Sequence, residues 1–156
     1  MGVCGCGKTT VGRLLAERMG WPFHEGDEFH PPENVEKMSR SQPLTDEDRQ
    51  PWLSAIADEI QATIDREKSA VFACSALKGE YRKKLLQDDP HVRFVWLTGS
   101  QQILRDRMAA REDHYMPADL LDSQLETLEI PDDVLAVDID AEPEKITDRV
   151  QRVLGL

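Results

Sequence analysis

The most constraining feature of this sequence is Gly2-Val3-Cys4-Gly5-Cys6-Gly7-Lys8-Thr9, which matches the pattern G-x-x-x-x-G-K-[ST] at every required position. Glycines allow backbone conformations that aim successive N–H groups inward, so that they form a nest for phosphate oxygens. Apolar residues follow at helical spacing, at Val11, Leu14, Leu15 and Met19. The sequence therefore predicts a phosphate-binding loop at the start of a helix, whose dipole favours an anion there.

Each part of this loop has a predicted role toward a nucleoside triphosphate. We expect the Lys8 ammonium to bridge the β- and γ-phosphates and the Thr9 hydroxyl to ligate Mg²⁺. The predicted nucleotide-binding residues are those of the loop and the first helical turn: Gly2, Val3, Cys4, Gly5, Cys6, Gly7, Lys8, Thr9 and Thr10.

The two cysteines of the loop allow more than one interpretation. Two thiols one residue apart, without a second ligand pair nearby, make a poor zinc site. We interpret Cys4 and Cys6 as small side chains that the loop tolerates. The alternative hypothesis is redox sensitivity, because a helix N-terminus lowers the pKa of a thiol.

The residues before the loop do not provide the strand that a phosphate loop normally follows, since only Met1 precedes Gly2. In a parallel sheet that strand is central, and its absence leaves unpaired backbone groups that cost about 1–3 kcal/mol each if buried. We interpret this as an incomplete N-terminus; the alternative is that something else fills the gap. An upstream extension of about ten residues, mostly Val and Ile, is expected to raise the melting temperature.

The rest of the chain alternates between short apolar runs and amphipathic segments. Strands are predicted at residues 23–24, 70–74, 92–97 and 134–137, and helices lie between and after them. Thr45 and Asp48 predict the capped start of the longest helix. This alternation predicts an α/β fold with a parallel sheet covered on both faces. A length of 156 residues predicts one domain.

Composition excludes several classes of partner. With 30 acidic and 19 basic residues, the net charge is −11, which argues against binding to nucleic acid or to an anionic membrane surface. The sequence shows neither a signal peptide nor an apolar run of about 18 residues, so the expected location is cytoplasmic. An anionic ligand would therefore need positive groups concentrated at one site.

Further motifs carry a resemblance to a known family. They are Glu25-Gly26-Asp27-x-x-His30-Pro31, Asn34-x-x-Lys37-Met38, Pro43-Leu44-x-Asp46-x-Asp48-Arg49-x-Pro51-Trp52-Leu53, Cys74-Ser75-Ala76-Leu77-Lys78-x-x-Tyr81-Arg82, Arg107-x-x-x-Arg111-x-x-His114-Tyr115-Met116 and Leu120-Leu121-x-Ser123-Gln124-x-x-x-Leu128-Glu129. With these motifs the chain resembles the bacterial gluconate kinases (gluconokinases), P-loop kinases related to shikimate and nucleoside-monophosphate kinases. The resemblance implies a three-layer α/β/α P-loop kinase fold over residues 1–156, with a helical lid at about residues 107–128.

The resemblance also implies an activity. It implies an ATP- and Mg²⁺-dependent kinase that phosphorylates D-gluconate to 6-phospho-D-gluconate, and a family whose members often form homodimers. Three departures from the family pattern are present: Cys4 and Cys6 replace the usual serines, Glu25 replaces the usual Asp, and the leading strand is missing. The open alternatives are a shikimate or other sugar-acid kinase, and an inactive module that binds nucleotide.

The resemblance places substrate-binding residues after the first and second predicted strands. Asp27 is expected to orient the substrate hydroxyl; the alternative is that it only stabilises the turn in which it lies. His30 either binds the substrate or caps the turn that follows it. Glu25 either holds a magnesium-bound water or is a solvated acid. A carboxylate substrate calls for a cation, for which Arg49, Lys78 and Arg82 are the candidates. The alternatives are a surface ion pair of Arg49 with Asp46 or Asp48, and a solvated basic run that includes Lys78 and Arg82.

The resemblance assigns two further arginines to the lid. Arg107 and Arg111 are one helical turn apart, and we expect them to stabilise the charge on the γ-phosphate as the lid closes. The alternative is a pair of surface arginines bound to Asp106 or Glu112.

Overall fold

Helices and strands alternate along the chain as the sequence predicts. The computed structural model describes residues 1–40, 42–86, 89–110, 118–131 and 134–156. The helices are α1 (Lys8–Met19), α2 (Pro32–Ser39), α3 (Asp46–Asp65), α4 (Gly79–Leu86), α5 (Gln101–Ala109), α6 (Ala118–Thr127) and α7 (Pro143–Leu154). The strands are β1 (Phe23–Glu25), β2 (Val71–Ala73), β3 (Val95–Thr98) and β4 (Leu135–Asp138), and a 3₁₀ turn, Gly26–Phe29, follows β1.

The ends of the two helices that frame the site follow from local sequence. Helix α1 ends where Gly20 adopts a left-handed conformation, with φ of 66°. Helix α3 begins with a capping box, in which the Asp48 N–H donates to Thr45 Oγ1 at 3.2 Å and the Thr45 N–H donates to Asp48 Oδ2 at 2.9 Å. The capped start predicted for α3 is therefore confirmed.

The strands form two parallel pairs. In the first pair, β1 lies beside β2, with Phe23 opposite Val71 and Glu25 opposite Ala73. In the second, β3 lies beside β4, with Val95 opposite Leu135. The carboxyl ends of parallel strands meet at one edge, which is where ligands bind in such sheets.

The first two residues of the chain lie between these pairs. The Leu97 N–H donates to the Met1 carbonyl at 2.9 Å, and the Gly2 N–H donates to the Ser75 carbonyl at 3.2 Å. Beyond Met1 the two pairs are separated by a cavity of about 790 Å³, whose lining is largely apolar and includes Val11, Leu15, Ile56, Ile60, Phe72 and Val95. This cavity therefore lies between β2 and β3.

Helices cover both faces of the strands. Val11 and Leu15 of α1 pack with Ile146 and Val150 of α7 in one buried cluster, which also contains Leu97. A second cluster joins Trp52, Leu53 and Ile56 of α3 to Tyr81 and Leu85 of α4. Helices α1 and α7 on one side and helices α3 and α4 on the other therefore form the outer layers of the predicted three-layer arrangement. Within the described ranges, no helix combines the length and the apolar character needed to span a membrane.

Candidate active site

The loop before α1 has the conformation that the glycine spacing predicts. Gly5 and Gly7 have φ values of 78° and 90°, in the left-handed region that only glycine adopts without strain. A Cβ atom on Gly5 would lie 2.9 Å from the Leu104 carbonyl oxygen and 3.1 Å from Met108 Cγ. The loop is therefore packed tightly against α5, and a side chain at Gly5 would displace it.

The side chain of Lys8 folds back across this loop. Its ammonium donates to the carbonyl oxygens of Gly2 and Val3, both at 3.0 Å, and lies 4.0 Å from Cys6 Sγ. A charged donor is thereby held beside the backbone amides of the loop. This arrangement concentrates positive potential at one point of a chain whose net charge is −11.

Helix α6 contacts the same loop through Gln124, a residue for which no role was predicted. The Cys4 N–H donates to Gln124 Oε1 at 2.6 Å, and Cys4 Sγ lies 3.4 Å from Met108 Sδ. Cys4 and Cys6 are both buried. Gln124 belongs to one of the motifs that carry the resemblance, but its partner lies 120 positions away and leaves no signal in the local pattern.

Thr9 and Glu25 bring two oxygen ligands together at the end of β1. The Thr9 hydroxyl donates to Glu25 Oε2 at 2.7 Å. Hydroxyl and carboxylate oxygens are ligands that Mg²⁺ prefers, and this ion commonly takes only one or two of its ligands from protein. No cluster of three or more His, Cys, Asp or Glu side chains suited to a metal occurs among the described residues. The donor set thus fits Mg²⁺ shared with phosphate oxygens rather than a metal enclosed by protein ligands.

The 3₁₀ turn after β1 carries Asp27. A Cβ atom on Gly26 would lie 2.5 Å from the Ala73 carbonyl oxygen, so the ends of β1 and β2 approach too closely for any other residue. The indole N–H of Trp52, on α3, donates to the Gly26 carbonyl at 2.7 Å and holds the turn against that helix. Asp27, the next residue, is exposed at this strand edge.

His30 closes the turn and packs on α3. Its ring stacks on Trp52, with the centroids 4.5 Å apart. Burial lowers the pKa of His30; the carboxylate of Asp27 opposes this shift and the guanidinium of Arg49 adds to it. Asp27 and Arg49 therefore both lie close enough to His30 to act on its charge.

Arg49 and Lys78 belong to a hydrogen-bonded group that joins the start of α3 to the start of α4. The Lys78 ammonium donates to both Asp46 carboxylate oxygens, at 2.7 and 2.6 Å, and the Tyr81 hydroxyl donates to the same carboxylate. Arg49 NH1 lies 3.6 Å from Asp46 Oδ1 and donates to the Tyr81 hydroxyl at 3.4 Å. We call Asp46, Arg49, Lys78 and Tyr81 the Asp46 cluster.

Arg82 has a different environment from the one predicted for a substrate ligand. It is 8% exposed, and its NH1 donates to the Ala76 and Leu77 carbonyls at 3.1 and 3.0 Å. Ala76 has a φ of 45°, so the guanidinium stabilises a loop in an unfavourable conformation. Arg82 therefore supports the loop after β2 and does not present an open anion site.

Arg107 lies beside the phosphate loop and is bound to backbone. Its NH2 donates to the Ile139 and Ala141 carbonyls at 2.7 and 3.0 Å. Together with Gly7, Thr10 and Pro143 it lines a second cavity, of about 310 Å³. Arg107 makes these bonds in place of the ion pair with Asp106 that was the alternative interpretation, and Asp106 accepts a hydrogen bond from Gln102. Arg111 and the motif residues at 114–116 lie outside the described residues.

Comparisons with known proteins decide the family. The family model for shikimate kinase matches residues 4–130. The gluconokinase of Gluconobacter oxydans is 49% identical over 97% of this chain and 87% of its own length. The chain belongs to the gluconokinase family. The thermosensitive gluconokinase of Escherichia coli agrees with this, at 38% identity over 99% of this chain and 84% of its own length.

Solved structures confirm the fold of this gluconokinase-family chain. A gluconokinase from Sinorhizobium meliloti superposes with a TM-score of 0.89 and 45% identity, over 99% of this chain and 89% of that one. Shikimate kinase from Aquifex aeolicus has a TM-score of 0.64 at 15% identity, over 99% of this chain and 93% of that one, which shows a shared fold alone. The predicted α/β P-loop kinase fold and the predicted family are thus both confirmed.

Proposed function

We propose that this chain transfers the γ-phosphoryl group of ATP to the terminal hydroxyl of D-gluconate, giving ADP and 6-phospho-D-gluconate. The observation that carries the proposal is 49% identity to a gluconokinase across nearly the whole chain. The geometry agrees, because a phosphate-binding loop, a carboxylate turn and a group of cations meet at one edge of the strands.

The loop and Lys8 hold the triphosphate. Phosphoryl transfer requires mainly positioning and stabilisation of charge on the transferred group. The Lys8 ammonium is bound to two loop carbonyls at 3.0 Å, and we expect it to exchange these bonds for phosphate oxygens when the triphosphate occupies the nest. Thr9 and Glu25 would hold Mg²⁺, which supplies neutralising charge to the phosphates when it is bound.

Asp27 and His30 act on the hydroxyl that is phosphorylated. Asp27 is exposed at the strand edge, where its carboxylate can accept the hydroxyl proton or orient the hydroxyl by a hydrogen bond. The lowered pKa of His30 favours the neutral imidazole near pH 7, which can accept or donate a hydrogen bond to a polyol.

Arg49 and Lys78 hold the substrate carboxylate. Their side chains are 31% and 24% exposed, so each retains donors that can face a ligand. Arg82 takes part indirectly, by supporting the loop from which Lys78 projects.

We assign the nucleoside end of ATP to the second cavity. It begins at Gly5 and Gly7 of the phosphate loop and is flanked by Arg107 and Pro143. A planar guanidinium stacks well on aromatic rings. We therefore assign Arg107 to the nucleotide, while Arg111 and the remainder of the lid at about 107–128 close over the phosphates.

Coupled measurement of ADP release tests the proposal. Purified protein is assayed with Mg²⁺, ATP and, in turn, D-gluconate, shikimate and related sugar acids. Gluconate should give the highest kcat/KM, and Lys8→Ala should reduce turnover at least a hundredfold. Lys83→Ala is the matched control, because Lys83 is an exposed lysine on α4.

Other outcomes identify the alternatives. Calorimetric binding of ATP without gluconate-dependent ADP release would favour a nucleotide-binding module without kinase activity. A higher kcat/KM with shikimate or another acid would reassign the substrate. An unaltered rate in Lys8→Ala would contradict the assigned role of the loop.

A further inference from the structure

The Asp46 cluster joins two cations through one carboxylate and one phenol. Asp46 accepts hydrogen bonds from Lys78 through both of its oxygens, so the ammonium is fixed in direction as well as distance. The Tyr81 hydroxyl is shared, since it donates to Asp46 and accepts from Arg49. Movement of either cation would therefore break a bond to a common partner.

We propose that Asp46 and Tyr81 are positioning residues that hold Arg49 and Lys78 as one cation pair, matched to a substrate with a single carboxylate. This inference rests on the proposed function, because it concerns how the same site selects its acid. It adds two residues to the site and defines the charge of the substrate that the site accepts.

The ring of Tyr81 contacts both Arg49 and Lys78 and fixes their positions relative to each other. The phenol is 4% exposed and lies between α3 and α4, so it cannot move freely. Arg49 Cζ lies 6.0 Å and Lys78 Nζ 5.5 Å from the centroid of this one ring, both within the range of a cation–π contact. A single buried group thereby sets the positions of both cations.

The charge count of the cluster sets its selectivity. Arg49 and Lys78 carry two positive charges and Asp46 carries one negative charge, which leaves an excess of one. Glu80 lies 3.8 Å from Lys78, beyond hydrogen-bonding distance, and at 59% it is more exposed than Asp46 at 44%, so water screens its charge more. Asp27 and the buried Arg82 carry one charge of each sign and together leave the excess unchanged. Asp48, two residues after Asp46, is balanced by Lys37 at 2.6 Å. One substrate carboxylate neutralises the excess, whereas a neutral polyol leaves it and a dicarboxylate exceeds it.

Three ligands of equal carbon number test this selectivity. D-gluconate is the substrate, and D-glucarate is a dicarboxylate without a primary hydroxyl, so it can only compete. D-glucitol is the neutral ligand, and because it keeps primary hydroxyls its inhibition is measured from the formation of 6-phospho-D-gluconate rather than from ADP release. In Asp46→Asn the excess rises to two charges. The ratio of the glucarate inhibition constant to the gluconate KM should then fall about tenfold, while D-glucitol inhibition and the KM for ATP stay unchanged.

Two further variants separate positioning from a merely structural role. Asp46→Glu keeps the charge and should keep the wild-type ratio. Glu80→Gln removes an equal charge near the same ammonium but outside the hydrogen-bonded cluster, and its ratio should stay within about twofold of wild type. A structural role of Asp46 would lower stability without changing the preference between one and two carboxylates.

The outcomes distinguish this inference from the proposed function. Wild-type protein without gluconate-dependent ADP release overturns both. Active wild-type protein with the same glucarate-to-gluconate ratio in Asp46→Asn, or with an equal change in Glu80→Gln, overturns the inference and leaves the function standing. If Asp46→Asn does not fold, Tyr81→Phe carries the test. Its gluconate KM should rise about three- to tenfold at constant ATP KM, and an unchanged gluconate KM overturns the inference.

Discussion

The hydroxyl of Thr9 donates to the carboxylate of Glu25 across 2.7 Å, which links the first turn of α1 to the end of β1. The two residues are 16 positions apart, and the link depends on the parallel strands that bring β1 beside the phosphate loop. Both groups can provide an oxygen ligand to a hard cation such as Mg²⁺. We therefore expect substitutions in this pair to change the Mg²⁺ concentration needed for activity more than substitutions elsewhere in the site.

Replacement of Glu25 should raise the magnesium requirement. In Glu25→Gln the concentration of Mg²⁺ that gives half-maximal ADP release is expected to increase about 10- to 100-fold, because the variant loses a charged partner of the ion or of its bound water. Glu25→Asp keeps the carboxylate and should retain most of the affinity. Glu28→Gln is the matched control, because Glu28 is an exposed acid on the 3₁₀ turn that follows Glu25. Equal magnesium titrations for Glu25→Gln and wild type would remove Glu25 from the metal site.

Replacement of Arg107 should weaken nucleotide binding more than acid binding. We expect Arg107→Ala to raise the KM for ATP about tenfold, through loss of a planar cation at the second cavity, with little change in the KM for gluconate. The same variant leaves two carbonyls without this donor, so a stability loss of about 1 kcal/mol should accompany it. Arg105→Ala is the control on the same helix, since Arg105 makes an exposed ion pair with Asp122 at 2.6 Å. A gluconate KM that rises as much as the ATP KM would contradict this assignment.

The stability of the protein should fall in mildly acid solution partly because of His30. Burial lowers the pKa of His30 below its ordinary value of 6.5. The unfolded chain then binds more protons at this residue than the folded one between these two pKa values, so the contribution of His30 to stability rises with pH up to about 6.5 and is constant above it. Melting temperatures of wild type and His30→Gln at pH 5.5 and pH 7.5 check this, with a smaller difference expected in the variant.

The Met1 amino group is the internal reference for that experiment. Burial lowers the pKa of this amino group to about 6, which produces the same direction of pH dependence in both proteins. Only the difference between the two proteins reports on His30. Identical pH dependences would show that His30 titrates alike in the folded and unfolded chains.

A strand added before Met1 should stabilise the protein. An extension of about ten residues rich in Val and Ile would occupy the cavity between β2 and β3 and pair with both strands. It also replaces a buried amino group with a peptide bond. The melting temperature should rise by at least about 5 °C, measured by circular dichroism. A Gly/Ser extension of equal length is the control, and an equal rise with that control would contradict the explanation.

The parts of the site that were predictable are those in which chemistry and spacing lie in one short segment. The loop, Lys8 and Thr9 belong to such a segment, and the capping box of Thr45 and Asp48 is another. Their geometry follows from backbone preferences that act over a few residues.

The partners of Arg107 and Arg82 were not predictable, because they are backbone carbonyls. Arg107 binds carbonyls 32 and 34 positions away, and such acceptors have no residue type that a sequence pattern could show. Arg82 binds carbonyls five and six positions away in a loop whose path depends on the strand before it. Spacing therefore indicated cationic residues but could not distinguish Arg49, which keeps an exposed face, from Arg82, which does not.

The position of Met1 and Gly2 has a consequence for heat inactivation. Their backbone groups bond to Leu97 of β3 and to Ser75 after β2, and the phosphate loop continues directly from them. Thermal separation of β2 from β3 would therefore pull directly on the triphosphate site, whereas the hydrogen bonds within the helices do not depend on these contacts. Catalytic activity should disappear at a lower temperature than helical ellipticity, and bound ATP should bring the two transitions together.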